Sequence, residues 1–147
     1  MSQEERSAAV SILVNSVAVI WLALRLHGLW QSGAFDGPDA LQIWARTVLW
    51  VIPVAIAGFI GMTIIVAIVH GIVTRDTDTR SDERDKAYQM RGMAATMVVA
   101  SIGMVGAIIA LALGYSGVFA MTAIYFSTAG GSIVGDVTRI MSYRVWG

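Results

Sequence analysis

Charged residues are confined to the segments between four uncharged, apolar stretches of the chain. None of the ten acidic and ten basic residues falls within 8–24, 47–74, 92–113 or 118–135. A charge at mid-bilayer costs several kcal/mol, so clearing windows of about 17–25 residues is typical of membrane-spanning helices. The pattern predicts an all-α, integral membrane four-helix bundle with spans at about 8–26, 47–73, 92–113 and 118–135.

Composition limits what else the chain can contain. It has 147 residues, 56% of them hydrophobic, and a mean hydropathy of +0.70, so four spans use nearly all of it. We therefore expect a single membrane domain over 1–147. The absence of cysteine excludes disulfides and thiolate metal sites.

The basic residues are distributed unevenly across the predicted membrane. One side carries only Arg25 and Arg46, and the other carries Arg6, Arg75, Arg80, Arg84, Lys86, Arg91, Arg139 and Arg144. Because loops rich in Lys and Arg stay in the cytoplasm, this bias predicts that both termini and the 75–91 connection are cytoplasmic. The tryptophans agree, since four of the five lie near the predicted outer interface: Trp21, Trp30, Trp44 and Trp50.

Two spans contain residues that disturb a simple apolar helix. In the first, Ser7, Ser11 and Asn15 recur every four residues on one face, and we expect Asn15 to face another helix and act as packing glue. The second has room for a helix over 38–73, about 50 Å long and well above the ~30 Å hydrocarbon core. We expect an interfacial start and a bend at Pro53, which lacks a backbone donor.

The third and fourth spans form a predicted hairpin with stripes of small residues. Such stripes allow close backbone approach where lipid supplies no hydrophobic drive between helices. The predicted packing positions are Gly103, Ala107 and Ala110 in span three and Ala123, Ser127 and Gly130 in span four. An oligomer interface along these stripes is the alternative.

A charged segment precedes the third span and predicts a cytoplasmic helix extension over about 82–91. Ser81 is a plausible N-cap, with Asp82 and Glu83 at the positive helix end. Asp82 and Lys86 are four residues apart in the favourable orientation for an ion pair.

Tests for catalytic and ligand-binding motifs give nothing specific. The run from Asp76 begins like a calcium loop but has Arg80 and Ser81 at positions that need an oxygen ligand and a glycine. His27 and His70 fall at opposite membrane faces and cannot share a metal. We therefore expect no metal, no cofactor, no nucleic-acid partner and no enzymatic activity.

Two short motifs resemble those of a known group of proteins. Asp82, Glu83, Arg84 and Asp85 precede the third span, and Ser142, Tyr143 and Arg144 lie close to Gly147. These resemble an uncharacterised family of small bacterial four-helix inner-membrane proteins with a D-E-R-D motif before the third helix and a Y-R-R-G-like ending. The tail departs from that pattern because Val145 and Trp146 separate Arg144 from Gly147. The resemblance implies a bacterial inner membrane and brings no established activity.

The expected function is contact with another membrane protein, or with further copies of the chain, in a scaffold, regulatory or accessory role. The candidate interaction surface comprises Asp82, Glu83, Arg84, Asp85, Lys86, Arg91, Asp136, Arg139 and Arg144. Three alternatives stay open at this point. The charges could serve only topology and helix ends, the chain could be an accessory subunit of a respiratory or photosynthetic complex, or it could be a small transporter or channel subunit.

Reporter fusions test the predicted topology. A reporter after Ser32 should read periplasmic, and reporters after Thr79 and Gly147 should read cytoplasmic, because eight cations lie on one side and two on the other. A periplasmic signal at Thr79 would overturn the assignment.

Overall fold

The computed structural model describes residues 3–74 and 83–146 and is helical almost throughout. The helices are α1 (Gln3–Gln31), α2 (Ala40–Leu49), α3 (Val51–Thr74), α4 (Glu83–Ala112) and α5 (Gly117–Trp146). Four stretches are long and apolar enough to cross a membrane: Glu5–Gln31, Ala40–Val69, Asp85–Ala112 and Gly117–Val145. The predicted all-α fold with four candidate spans is confirmed.

The second span is interrupted at Trp50, where α2 ends and α3 begins. Three residues later stands Pro53, whose missing N–H would otherwise bond to the carbonyl of Leu49 and whose ring crowds that carbonyl. The helix is therefore interrupted in the turn before Pro53, where proline disfavours a continuous helix. Trp50 keeps helical backbone angles (φ −70°, ψ −22°), so the two helices follow each other without a loop between them.

The helices are arranged in the order α3, α1, α5, α4, with α1 and α5 in the centre. Within the described residues α4 packs extensively only against α5, and α3 packs mainly against α1 with a shorter contact to α2. We call the end with the 32–39 connection and the α4–α5 turn the loop end. The opposite end, with the start of α1, the end of α3, the start of α4 and the end of α5, is the terminal end.

The apolar core lies at the loop end. It brings together buried side chains from four helices: Leu22, Leu26, Trp44, Val51 and Val118. Trp44 on α2 also donates its indole N–H to the Thr122 hydroxyl on α5, with an Nε1–Oγ1 distance of 2.9 Å. This bond satisfies the buried indole and joins α2 to α5.

The closest helix contact is an antiparallel seam between α4 and α5. Gly92, Gly131 and Gly135 are buried in it. A Cβ added to Gly131 would lie 2.9 Å from the Thr96 carbonyl oxygen, and one added to Gly135 would lie 2.6 Å from the Gly92 carbonyl oxygen. Only glycine allows backbones to approach this closely.

The predicted small-residue stripes lie in the seam, with one shift in register. Ala107 and Ala110 are buried, Ala123 is half-buried, and a side chain at Gly103 would overlap Ser127. Gly130 does not take part, because a Cβ there would meet nothing within 4 Å. Its neighbour Gly131 does, since Ser127, Gly131 and Gly135 follow a four-residue spacing that keeps one helix face towards α4.

Adjacent glycines provide a matched test of the seam. We expect Gly131→Ala to lower the free energy of unfolding in mild detergent by about 1–3 kcal/mol, because the new methyl group meets a backbone oxygen. Gly130→Ala should be neutral or stabilising by up to ~1 kcal/mol, because alanine favours a helix and the space is open. Equal effects in a denaturant titration followed by circular dichroism would contradict the assigned register.

Candidate interaction site at the terminal end

The start of α4 and the end of α5 contact each other at the terminal end. Tyr143 near the end of α5 donates its hydroxyl hydrogen to Asp85 in the first turn of α4, with an Oη–Oδ1 distance of 2.5 Å. The partners are 58 residues apart in the chain. A hydrogen bond to a carboxylate is shorter and stronger than one between neutral groups, so this contact joins the two helices firmly.

Aromatic packing surrounds this hydrogen bond. Tyr88, one turn after Asp85, is buried and meets Tyr143 edge to face, with ring centroids 4.8 Å apart and an interplanar angle of 75°. The Arg91 guanidinium carbon lies 5.8 Å from the Tyr88 ring centroid, within the range of a cation–π contact. Asp85, Tyr88 and Arg91 therefore form one ladder along α4, three residues apart at each step.

Arg139 completes the cluster from α5. Its side chain hydrogen-bonds to the Tyr143 hydroxyl, which thus accepts from an arginine and donates to a carboxylate. The Cβ of Arg139 lies beside Gly92, where an added Cβ would come within 3.5 Å of it. Gly92 thereby makes room for the start of the arginine side chain, and the polar cluster continues directly into the seam.

A second polar contact joins α5 to α1. Asp136 and Ser11 share a side-chain hydrogen bond, and Asn15 donates its amide to the Ser11 oxygen over 3.2 Å. Asn15 lies beside Ala55 and Phe59 of α3, as expected for a residue that faces another helix, but its hydrogen bond is local. Asn15 bonds within α1, because Ser11 lies one turn away on the same face, and Ser11 makes the link to Asp136.

The remaining predicted surface residues divide into two groups. Lys86 and Arg144 are exposed on α4 and α5. Glu83 and Arg84 belong to the start of α4, whose described side chains begin at Asp85, and Asp82 lies outside the described residues. The structure thus brings Asp85, Arg91 and Arg139 into one cluster with two tyrosines and places Asp136 in a separate contact with α1.

The roles of Tyr88, Tyr143 and Ser11 were not predicted from the sequence. A signal for Tyr88 was present, since an acid, an aromatic residue and a cation at three-residue steps lie on one helix face. That face also continues into the predicted small-residue stripe through Gly92 and Thr96. The pairing of Tyr143 with Asp85 has no local signal, because it depends on the antiparallel register of α4 and α5.

The side chains of the cluster form contacts that join α4 to α5. Carboxylate, phenol and guanidinium groups meet across α4 and α5, with the Tyr143 hydroxyl between Asp85 and Arg139. Within 3–74 and 83–146, no group of three His, Cys, Asp or Glu side chains is placed to hold a metal ion.

Comparison with known proteins found no matching family model, no matching curated protein and no matching solved structure. The fold itself defines the class: four apolar helices of spanning length make this a multi-pass α-helical membrane protein.

Removing the Tyr143 hydroxyl tests the cluster. Tyr143→Phe should lower the free energy of unfolding by about 1 kcal/mol, because Asp85 loses a hydrogen bond at a half-buried site. Asp85→Asn should cost a similar amount, and the double variant should cost clearly less than the sum of the two. Strict additivity in the same detergent titration would show that the two groups do not interact. Arg144→Gln is the control and should leave stability within about 0.5 kcal/mol of wild type.

Proposed function

We propose that this is a non-enzymatic protein of a bacterial inner membrane, with both termini in the cytoplasm, that acts by contact with another membrane protein. The topology rests on the distribution of cations, and the bacterial origin rests on the two motifs described above. What supports a contact function is the part of α4 that the seam does not use.

A stripe of methionines along one side of α4 carries the proposal. It consists of Met90, Met93, Met97 and Met104, with exposed fractions of 72%, 58%, 62% and 54%. Lys86, also exposed, begins the same line at the terminal end. The steps of four, three, four and seven residues keep all five on one side of the helix, beside the seam. Methionine is flexible and polarizable, and it is over-used at surfaces that adapt to binding partners.

The terminal-end cluster changes which charges can serve recognition. Asp85, Arg91 and Arg139 are engaged in contacts between or along α4 and α5. We therefore assign the recognition surface to Lys86 and the methionine stripe, with Arg144 as an exposed neighbour on α5. In this proposal the cluster fixes the orientation of α4, and α4 presents the methionine stripe to the partner.

Site-specific photocrosslinking in cells tests this surface. A photoreactive phenylalanine analogue at Met97 should give one adduct of defined mass, and the same analogue at Ile109 should not. Ile109 is comparably exposed, at 54%, but lies on a different side of α4. The charge reversal Lys86→Glu should reduce the Met97 adduct several-fold at unchanged protein abundance.

The mass of the adduct identifies the kind of partner. Twice the chain mass indicates a second copy, and a larger discrete mass that copurifies in mild detergent indicates a subunit of a larger complex. Both outcomes support contact through α4. Equal labelling at Met97 and Ile109, or none at either position, would overturn the proposal.

A further inference from the structure

Two arginines and two tryptophans surround a pocket at the loop end. Arg25 on α1 and Arg46 on α2 line it together with Trp21 and Trp50, and its volume is about 520 Å³. Tryptophan concentrates at the level of lipid headgroups. The pocket therefore combines two positive charges with the residues that mark a membrane interface.

Nothing else in the described part of the chain neutralises these arginines. Neither guanidinium has a side-chain hydrogen bond or an ion pair with the residues of 3–74 and 83–146. The acids in the nearby connection, Asp36 and Asp39, do not line the pocket. Arg25 and Arg46 contrast in this respect with the engaged arginines of the terminal end.

An apolar groove runs from this pocket along the interface of α1 and α3. Its volume is about 620 Å³, and it shares Trp21 and Val54 with the arginine pocket. Small residues leave the groove open, among them Ala18 on α1 and Gly58 and Gly61 on α3. A Cβ at Gly61 would meet nothing within 4 Å, so this part of the groove is unfilled by protein.

The length of the groove suits one acyl chain of a lipid. Its lining on α3 runs from Val51 to Ile65, or about 21 Å at 1.5 Å per residue. On α1 it runs from Leu13 to Trp21, or about 12 Å. Half of the hydrocarbon core is about 15 Å thick, so one acyl chain anchored at the interface fits between these lengths.

We propose that the pocket and the groove together bind one anionic glycerophospholipid. Its phosphodiester lies between Arg25 and Arg46, where guanidinium groups bind phosphate oxygens through paired hydrogen bonds, and one acyl chain fills the groove. The two positive charges favour a headgroup with net negative charge and disfavour one with its own amine. This lipid site is separate from the methionine stripe, which lies on α4.

Native mass spectrometry of the full chain tests this site. The protein in mild detergent is titrated with phosphatidylglycerol and, separately, with phosphatidylcholine. We expect the first phosphatidylglycerol molecule to bind more tightly than the first phosphatidylcholine molecule. Arg25→Gln and Arg46→Gln should each weaken that binding about fivefold, and the double variant roughly 25-fold, since one basic side chain near a headgroup contributes about this much.

Leucine substitutions separate the acyl-chain contact from the charge effect. Gly61→Leu should reduce occupancy by phosphatidylglycerol at least severalfold, because the new side chain starts in open space and extends into the groove. Gly106→Leu is the matched control, since it also projects into open space but lies on α4. Circular dichroism should show unchanged helicity in both. Wild-type affinity in the double arginine variant, equal affinity for the two lipids, or equal effects of the two leucines would overturn the proposal.

Discussion

The close approach of α4 and α5 is the contact on which the rest of the structure depends. In a bilayer, lipid chains are as apolar as the side chains they would replace, so helices gain little from burying leucine against leucine. They gain from dense packing, which requires backbones to come close. Gly92, Gly131 and Gly135 permit that approach, and the buried alanines Ala107, Ala110 and Ala120 continue it towards the loop end.

The seam ends in a polar cluster, whose charged residues are engaged in contacts between α4 and α5. Beyond Gly92 the same faces of α4 and α5 carry Asp85, Tyr88 and Tyr143, which bond and pack across the two helices. Asp85 and Arg139, two of the charges that the sequence presents as recognition residues, therefore join α4 to α5 through Tyr143. The side of α4 next to the seam is left to Lys86 and the methionine stripe, which is why the proposed contact lies there.

The other half of the molecule is joined by different means. Ser11 links α1 to Asp136 on α5, and the loop-end core fixes α1, α2 and α5 around Trp44. Between α1 and α3 the contact is looser, because small residues on both helices leave a groove that protein atoms do not fill. A lipid held by Arg25 and Arg46 would supply the packing that α3 lacks and would attach the outermost helix to the bundle.

The sequence alone determined the spans and the site of the helix interruption near Pro53, because both follow from local chemistry. Charges are excluded from hydrocarbon wherever they occur, and Pro53 disrupts the preceding turn whatever surrounds it. The same local logic identified Gly103, Ala107 and Ser127 as packing residues. Tertiary structure decided that Gly131 and not Gly130 enters the seam, that Asp85 meets Tyr143, and that Arg25 lies near Arg46. Those pairings depend on the register and order of helices, which arise from contacts between residues distant in the chain.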